Sequence, residues 1–352
     1  MLPALGNWLH SQHENVSASL TFDGLLSAFR QPPSDDAAEP PPSLPSDYQD
    51  ASQWIVGCDE AGRGPLAGPV VCAAAMYAPQ TRLPPGVVDS KQLRTDALRD
   101  RVLRTLLRTD GLMVAFIVIS HDSIDRSNIL KASLQGMASA AQGLVSSLES
   151  NFEGLPSLLE TPLGVQAVIL CGDPIHSRDL FLQACVQSAA HVVVDGNHVC
   201  EQLQAEMPVQ VSALVGGDAS MSSIAAASVV AKWVRDGIMR HFHEICPEYD
   251  FESNKGYGSA AHRQAIESAG VCPVHRLSYN PARTLLLAGK LQHPPNMASE
   301  VEAFKDYWEA KIEQAKQEKL QRKRKKPNPL KGQSSILAFL KPKAKRKKIQ
   351  SE

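Results

Sequence analysis

Two carboxylates stand side by side at Asp59 and Glu60, between the apolar run Trp54–Cys58 and a turn of Gly62, Arg63, Gly64 and Pro65. Neighbouring strand residues point to opposite faces, so in mid-strand one of the pair would be buried at a steep desolvation cost. At a strand end both can converge on something positive. Two further acids follow apolar segments: Asp195 closes His191–Val194, and Asp236 lies in the helical stretch Met221–Phe242, where Ser228, Lys232 and Asp236 share one face at i, i+4, i+8 spacing. If the strand ends lie side by side, four carboxylates meet at the carboxyl edge of a sheet, where open α/β sheets keep their sites. Acids packed that closely stay ionised together only around a cation, and an all-oxygen ligand set selects Mg²⁺ or Mn²⁺. Two such ions, about 3.5–4 Å apart, can activate water and hydrolyse a phosphodiester in line. That chemistry needs no serine nucleophile, and the chain contains no Gly-x-Ser-x-Gly. Taken singly, an acid at a strand end is an ordinary turn or cap residue; the adjacent pair followed by Gly-Arg-Gly-Pro is not so easily accounted for.

The elements that must position these acids alternate in type. Trp54–Cys58 and Gly68–Tyr77 read as strands, Arg94–Arg108 as a helix, Leu112–Ser120 as a third strand and Ser123–Leu144 as a second helix. His191–Asn197 reads as a buried strand, and Met221–Phe242 as a helix rich in small residues. Strands alternating with helices indicate an α/β layer fold. Between Ser147 and Ala190 the pattern is poor, fitting either a further strand and helix or a surface insertion.

The 352 residues are 43% hydrophobic, enough for a substantial core, yet no run of about 18 apolar residues marks a membrane span. No basic-then-apolar secretory leader opens the chain, so an intracellular protein is expected. Seven scattered cysteines without a Cys-x-x-Cys pair read as reduced thiols. The net charge of −1 conceals an asymmetry: Gln321–Glu352 carries 12 Lys and Arg against one acid, leaving 24 basic and 36 acidic residues elsewhere. A basic tail on an acidic body suggests an address or a polyanion-binding arm. The expected organisation is a Pro-rich extension over 1–50, a catalytic domain over 51–290 with an insertion at about 147–190, a solvated helix over 291–326 and a basic tail over 327–352.

The motifs, taken in order, resemble the ribonuclease HII family, the type 2 ribonucleases H. They are Asp59–Pro65 (DEAGRGP), Asp89–Leu93 (DSKQL), Ile124–Leu130 (IDRSNIL), Val193–Asn197 (VVDGN), Ser222–Asp236, Lys255–His262 (KGYGSAAH) and Val274–Arg283. The similarity covers roughly residues 54–287. It implies a ribonuclease-H-like fold, a mixed central sheet flanked by helices. It also implies endonucleolytic hydrolysis of RNA in RNA–DNA hybrids and at single ribonucleotides in duplex DNA, leaving 5′-phosphate and 3′-OH ends, in replication and ribonucleotide excision repair. By motif, the acidic quartet holding two Mg²⁺ or Mn²⁺ ions falls on Asp59, Glu60, Asp195 and Asp236. The turn Gly62-Arg63-Gly64 and Tyr257 are expected to read the 2′-OH that separates RNA from DNA, and Lys91, Lys232 and Arg235, with Arg63, to contact phosphates. One departure concerns Gly216-Gly217-Asp218, where many bacterial relatives carry Lys-Gly-Asp, which removes a lysine contact to phosphate. The body is more similar to the single-chain bacterial form than to a subunit of a larger enzyme, so independence from accessory subunits is expected.

Near the C-terminus, Gln333, Ile336, Phe339 and Leu340 resemble a sliding-clamp-binding peptide: one helical turn would present an apolar plug with a glutamine anchor. Arg322–Lys326 and Lys341–Lys348 read as nuclear-import or polyanion-binding segments, so a nuclear protein is expected. Three rival readings are weaker. A dinucleotide-binding turn at Gly62-x-Gly64-x-x-x-Gly68 has the wrong spacing, and its preceding acids would repel a pyrophosphate. A zinc site at His241 and His243 lacks cysteines at ligand spacing, which leaves them as surface or capping residues. A non-catalytic, clamp-tethered nucleic-acid-binding protein is the remaining alternative; retention of all four acids speaks against it.

Overall fold

The computed structural model describes residues 54–325, apart from Gln80, Arg82, Asp89, Asp110, 150–157, 161–164, 171–189, Cys200 and 207–208. The chain divides into two units, Met1–Met297 and Ala298–Glu352. In the first, β1 (Trp54–Ala61) and β2 (Val70–Tyr77) precede α1 (Asp96–Leu106), whose first turn is capped by the Thr95 side chain (Leu98 N to Thr95 Oγ1, 3.1 Å). Then come β3 (Leu112–Ile119), α2 (His121–Arg126) and α3 (Ile129–Glu149). The single helix expected over Ser123–Leu144 is broken at Ser127-Asn128, where Asn128 Oδ1 accepts from Lys131 N at 2.8 Å and starts α3. β4 (Leu158–Glu160), β5 (Val165–Leu170), β6 (Ala190–Asp195), α4 (Glu201–Glu206), β7 (Gln210–Leu214) and α5 (Ser222–Ile245) follow. Short helices α6 (Phe251–Asn254), α7 (Ala260–Ala269) and α8 (Ala282–Leu287) complete the unit. The second unit contains α9 (Ala298–Lys325), along which Phe304 and Trp308 lie with ring centroids 6.2 Å apart.

Seven strands form one mixed sheet in the order β4-β5-β3-β2-β1-β6-β7. The β1–β2, β2–β3, β3–β5 and β4–β5 pairs are antiparallel, whereas β6 and β7 run parallel to β1. β2 and β3 are buried along their whole length, as their unbroken apolar runs require of strands covered on both faces. The ambiguous 147–190 segment contributes β4 and β5, which widen the sheet beyond β3.

Two helices bracket the central strands. One core holds Val56, Cys58, Cys72, Ala74 and Ile117 with Ala132, Met137 and Leu144 of α3. On the other face Ile55 and Val193 pack with Ile224 of α5. Helix and strand approach so closely there that a Cβ on Gly57 would lie 2.3 Å from the Ile224 amide nitrogen. Only glycine permits that contact, and it draws α5 down onto β1 two residues before Asp59.

Candidate active site

The alternation along β1 settles where its two acids point. Ile55 and Gly57 face α5, so Asp59 does too, and it is buried. Glu60 projects from the opposite face at the register position paired with Cys72. The parallel register matches Cys58 with Val194, so Asp59 and Asp195 are the next residues on adjacent strands, on the same face. β6 ends at Asp195 and β1 two residues past Asp59, at Ala61, so both acids lie at the carboxyl edge.

The fourth acid at this corner is Asp218, not Asp236. β7 runs into Gly216, which adopts a left-handed conformation (φ 68°), and a short 3₁₀ turn over Gly217–Ala219 follows. The Gly217 amide donates to Asp195 Oδ1 at 2.7 Å, which sets the buried Asp218 beside Asp195. The Asp218 carboxylate is among the charges that push the Asp195 pKa up. Asp236 lies eight residues beyond Ser228 on α5, about 12 Å along the helix. Ser228 faces Asp59, while Asp236 turns toward α1. There it is 2% exposed, accepts from Lys232 Nζ at 2.6 Å and lies 3.5 Å from Arg99 Nε. It belongs to an interhelical ion-pair cluster.

The electrostatics of the corner suit a cation. Burial, then Glu60 and Asp195, raise the Asp59 pKa well above the carboxylate range, although Ser228 and the Glu60 amide hydrogen-bond it. Burial lifts Glu60 to about 7 against the attraction of Arg63 and Lys91. Asp195 is raised by burial, offset in part by the Gly217 amide. Glu60 Oε1 accepts from Arg63 Nη1 at 3.3 Å, but its buried Oε2 has no hydrogen-bond partner among the described residues. A buried carboxylate oxygen without a donor, among converging acids, fits a hard divalent ion.

The expected substrate contacts divide in two. Lys91 is 78% exposed at its side chain and reaches Asp218 Oδ2 at 2.9 Å; its neighbour Ser90 is tied to Ser228 at 2.9 Å. Arg63 is 44% exposed. Tyr257 is 48% exposed, and its Cε1 lies 3.6 Å from where a Cβ on Gly64 would stand. These side chains flank the acids at the surface. Lys232 and Arg235 do not: Lys232 is occupied by Asp236, and Arg235, 1% exposed, sends its guanidinium into main-chain carbonyls beneath the Gly62–Pro69 turn. A Cβ at Gly62 (φ +104°) would meet Arg235 Nε at 2.2 Å, so this position requires glycine. His241 is likewise buried, not at the surface, and bonds Glu244. Sequence reasoning missed Arg276, which is fully buried under the same turn, and Asp125, whose carboxylate accepts from the amides of Leu277 (2.7 Å) and Ser278 (3.1 Å) and holds the Arg276 segment in place. Gln333, Ile336, Phe339 and Leu340 lie outside the described residues.

Comparison with known proteins places the chain in a family. Residues 56–151 and 176–282 match the family described as Ribonuclease HII. β4 and β5 lie in the stretch between those two matched segments. Ribonuclease HII of Nitrobacter hamburgensis is 35% identical over 278 residues, 77% of this chain and 85% of that protein. Ribonuclease HII of Xanthomonas campestris is 35% identical over 235 residues, 67% of this chain and 78% of that protein. The crystal structure of ribonuclease H2 from Pyrococcus horikoshii superposes with a TM-score of 0.44 at 21% identity, covering 66% of this chain and 96% of that one.

Proposed function

The chain belongs to the ribonuclease HII family and is a type 2 ribonuclease H, a hydrolase of phosphodiester bonds; from that premise we propose that it cuts RNA in RNA–DNA hybrids and at single ribonucleotides in duplex DNA, with Asp59, Glu60, Asp195 and Asp218 as its metal ligands. The convergence of these four acids at one strand edge, beside an exposed glycine turn and Tyr257, carries the reading. Two bound Mg²⁺ or Mn²⁺ ions would supply the Lewis acid and the activated water, with hydrolysis leaving 5′-phosphate and 3′-OH ends.

The chain's own groups account for the rest. Ser228 and the Glu60 amide fix Asp59, and the Gly217 amide fixes Asp195, so the ligands are preorganised by donors other than the ion. The amides of the Gly62–Gly64 turn approach the sugar, where a 2′-OH offers both donor and acceptor. Tyr257 closes the other side and stacks on the adjoining deoxyribose. Lys91 and Arg63, exposed and resting on Asp218 and Glu60, would be available to substrate phosphates when those carboxylates hold a cation.

The purified protein, given Mg²⁺ or Mn²⁺, is expected to cleave a duplex containing one ribonucleotide and a long RNA–DNA hybrid while sparing the all-DNA duplex. EDTA should stop both reactions. No cleavage of either substrate with any divalent ion would overturn the assignment. Gln333–Leu340 supports tethering to a sliding clamp; its deletion should weaken clamp pull-down and leave turnover on short duplexes unchanged. Undiminished pull-down would remove that role.

A further inference from the structure

Between Gly62 and Pro69 the chain leaves β1, turns and enters β2, and its carbonyl oxygens are taken up by two buried guanidinium groups. Arg276 donates to Gly62 O (2.6 Å), Arg63 O (3.1 Å), Gly68 O (2.9 and 3.0 Å) and Pro69 O (3.1 Å). Arg235 donates to Ala67 O (3.2 Å), Pro69 O (3.0 Å) and, from the strap before Tyr257, Lys255 O (2.9 Å). The Arg276 amide takes Leu66 O at 2.9 Å, and the Tyr279 hydroxyl adds a second donor to Arg63 O at 2.9 Å. Among the described residues no carboxylate lies within ion-pair distance of either guanidinium. Two charges have been buried chiefly on backbone oxygens, with the Tyr279 and Tyr257 rings beside them and Asp125 and Asp236 farther off, an expensive arrangement that packing by itself does not call for.

The consequence follows from peptide geometry. In a planar trans peptide the C=O and N–H point in opposite directions. Because the carbonyls of Gly62 and Arg63 point down onto Arg276, the amides of Arg63 and Gly64 point away from it, toward the exposed surface next to Glu60. Neither amide donates to another described residue. Two successive outward N–H groups backed by buried positive charge form a donor pair suited to an electronegative oxygen. Only a planar, multi-donor guanidinium can take four carbonyls at once; a lysine ammonium cannot match that fork.

We propose that Arg276, assisted by Arg235 and Tyr279, is a positioning residue that aims the Arg63 and Gly64 amides and thereby sets the preference for ribose over deoxyribose at the cut nucleotide. This rests on the ribonuclease reading above. The test is equilibrium binding of the full chain in Ca²⁺, used as a non-turnover ion, to duplexes with one ribonucleotide and to their all-deoxy counterparts. Arg276→Lys, Arg235→Lys and Tyr279→Phe are compared with the unaltered protein, with Mn²⁺ affinity and thermal midpoint recorded for each. The unaltered protein should favour the ribonucleotide duplex. Tyr279→Phe removes one donor and should reduce the ratio of the two Kd values about three- to tenfold, and Arg276→Lys should reduce it further, with Mn²⁺ affinity unchanged. If Arg276→Lys fails to fold, Tyr279→Phe alone decides. A Tyr279→Phe protein with an unaltered Kd ratio overturns the proposal. Absence of any ribose preference in the unaltered protein overturns it together with the ribonuclease reading, and is distinguished by appearing before any substitution.

Discussion

Asp218→Asn should lower cleavage of a single-ribonucleotide duplex by at least about a thousandfold, whereas Asp236→Asn should leave the rate within about tenfold. The two acids are 18 positions apart and chemically identical, so the contrast is purely one of place. Asp218 stands at the strand edge with Asp195, on a turn whose amide already holds Asp195. Removing its charge would take away a proposed ligand of the ion and the Lys91–Asp218 ion pair. Asp236 neutralises Lys232 and lies against Arg99 at the contact of α5 with α1. Losing that charge leaves a partly buried lysine unpaired, a cost of roughly 1–3 kcal/mol paid in stability. Rates on the purified variants, with thermal midpoints alongside, separate the two outcomes. A dead Asp236→Asn protein with native stability, or a fully active Asp218→Asn protein, would reverse the assignment.

Metal-free protein should lose stability as pH rises from about 4.5 to 7, and divalent ions should restore it most strongly above pH 7. The sign follows from Glu60, whose pKa moves from 4.5 to about 7 on folding, chiefly through burial. The folded state therefore binds more protons than the unfolded chain across that interval, and stability falls with rising pH until Glu60 is ionised in both states. The full penalty is roughly 3 kcal/mol, and Asp59, raised in the same direction, adds to it. A cation at the corner would cancel the repulsion and serve Glu60 Oε2, which has no donor among the described residues. Thermal midpoints with EDTA and with millimolar Mg²⁺ should then diverge at pH 8 and nearly coincide at pH 5. Glu60→Gln should raise the metal-free midpoint at pH 8 and abolish most of the Mg²⁺ increment. An ion effect of equal size at both pH values would contradict this.

Why the sequence yields Asp59, Glu60 and Asp195 but not Asp218 is a matter of signal strength. β1 and β6 carry apolar runs that stop abruptly at acids, and a buried strand leaves that pattern whatever surrounds it. β7 is five residues long and only partly buried, so Gln210–Leu214 has neither length nor clear alternation to announce a strand whose end matters. Without β7, the Gly216-Gly217-Asp218 turn reads as a missing lysine instead of a strand-end acid. Asp236 attracted the assignment through its spacing from Ser228 and Lys232, yet a helix buried between a sheet and another helix has two functional sides. Ser228 and Arg235 look to the sheet; Lys232 and Asp236 look to α1. The buried arginines were illegible for a related reason. In sequence a guanidinium beside a nucleic-acid site suggests a phosphate, and nothing local in Arg235 or Arg276 says that its partners are carbonyls up to 214 residues away.

The most direct measurement is anomalous scattering from crystals grown in Mn²⁺. Density for the ion should lie among the carboxylates of Asp59, Glu60, Asp195 and Asp218, with Asp236 still paired to Lys232. Manganese bound instead by Asp236, or none at the Asp59–Asp195 edge at saturating concentration, would contradict the four-acid corner.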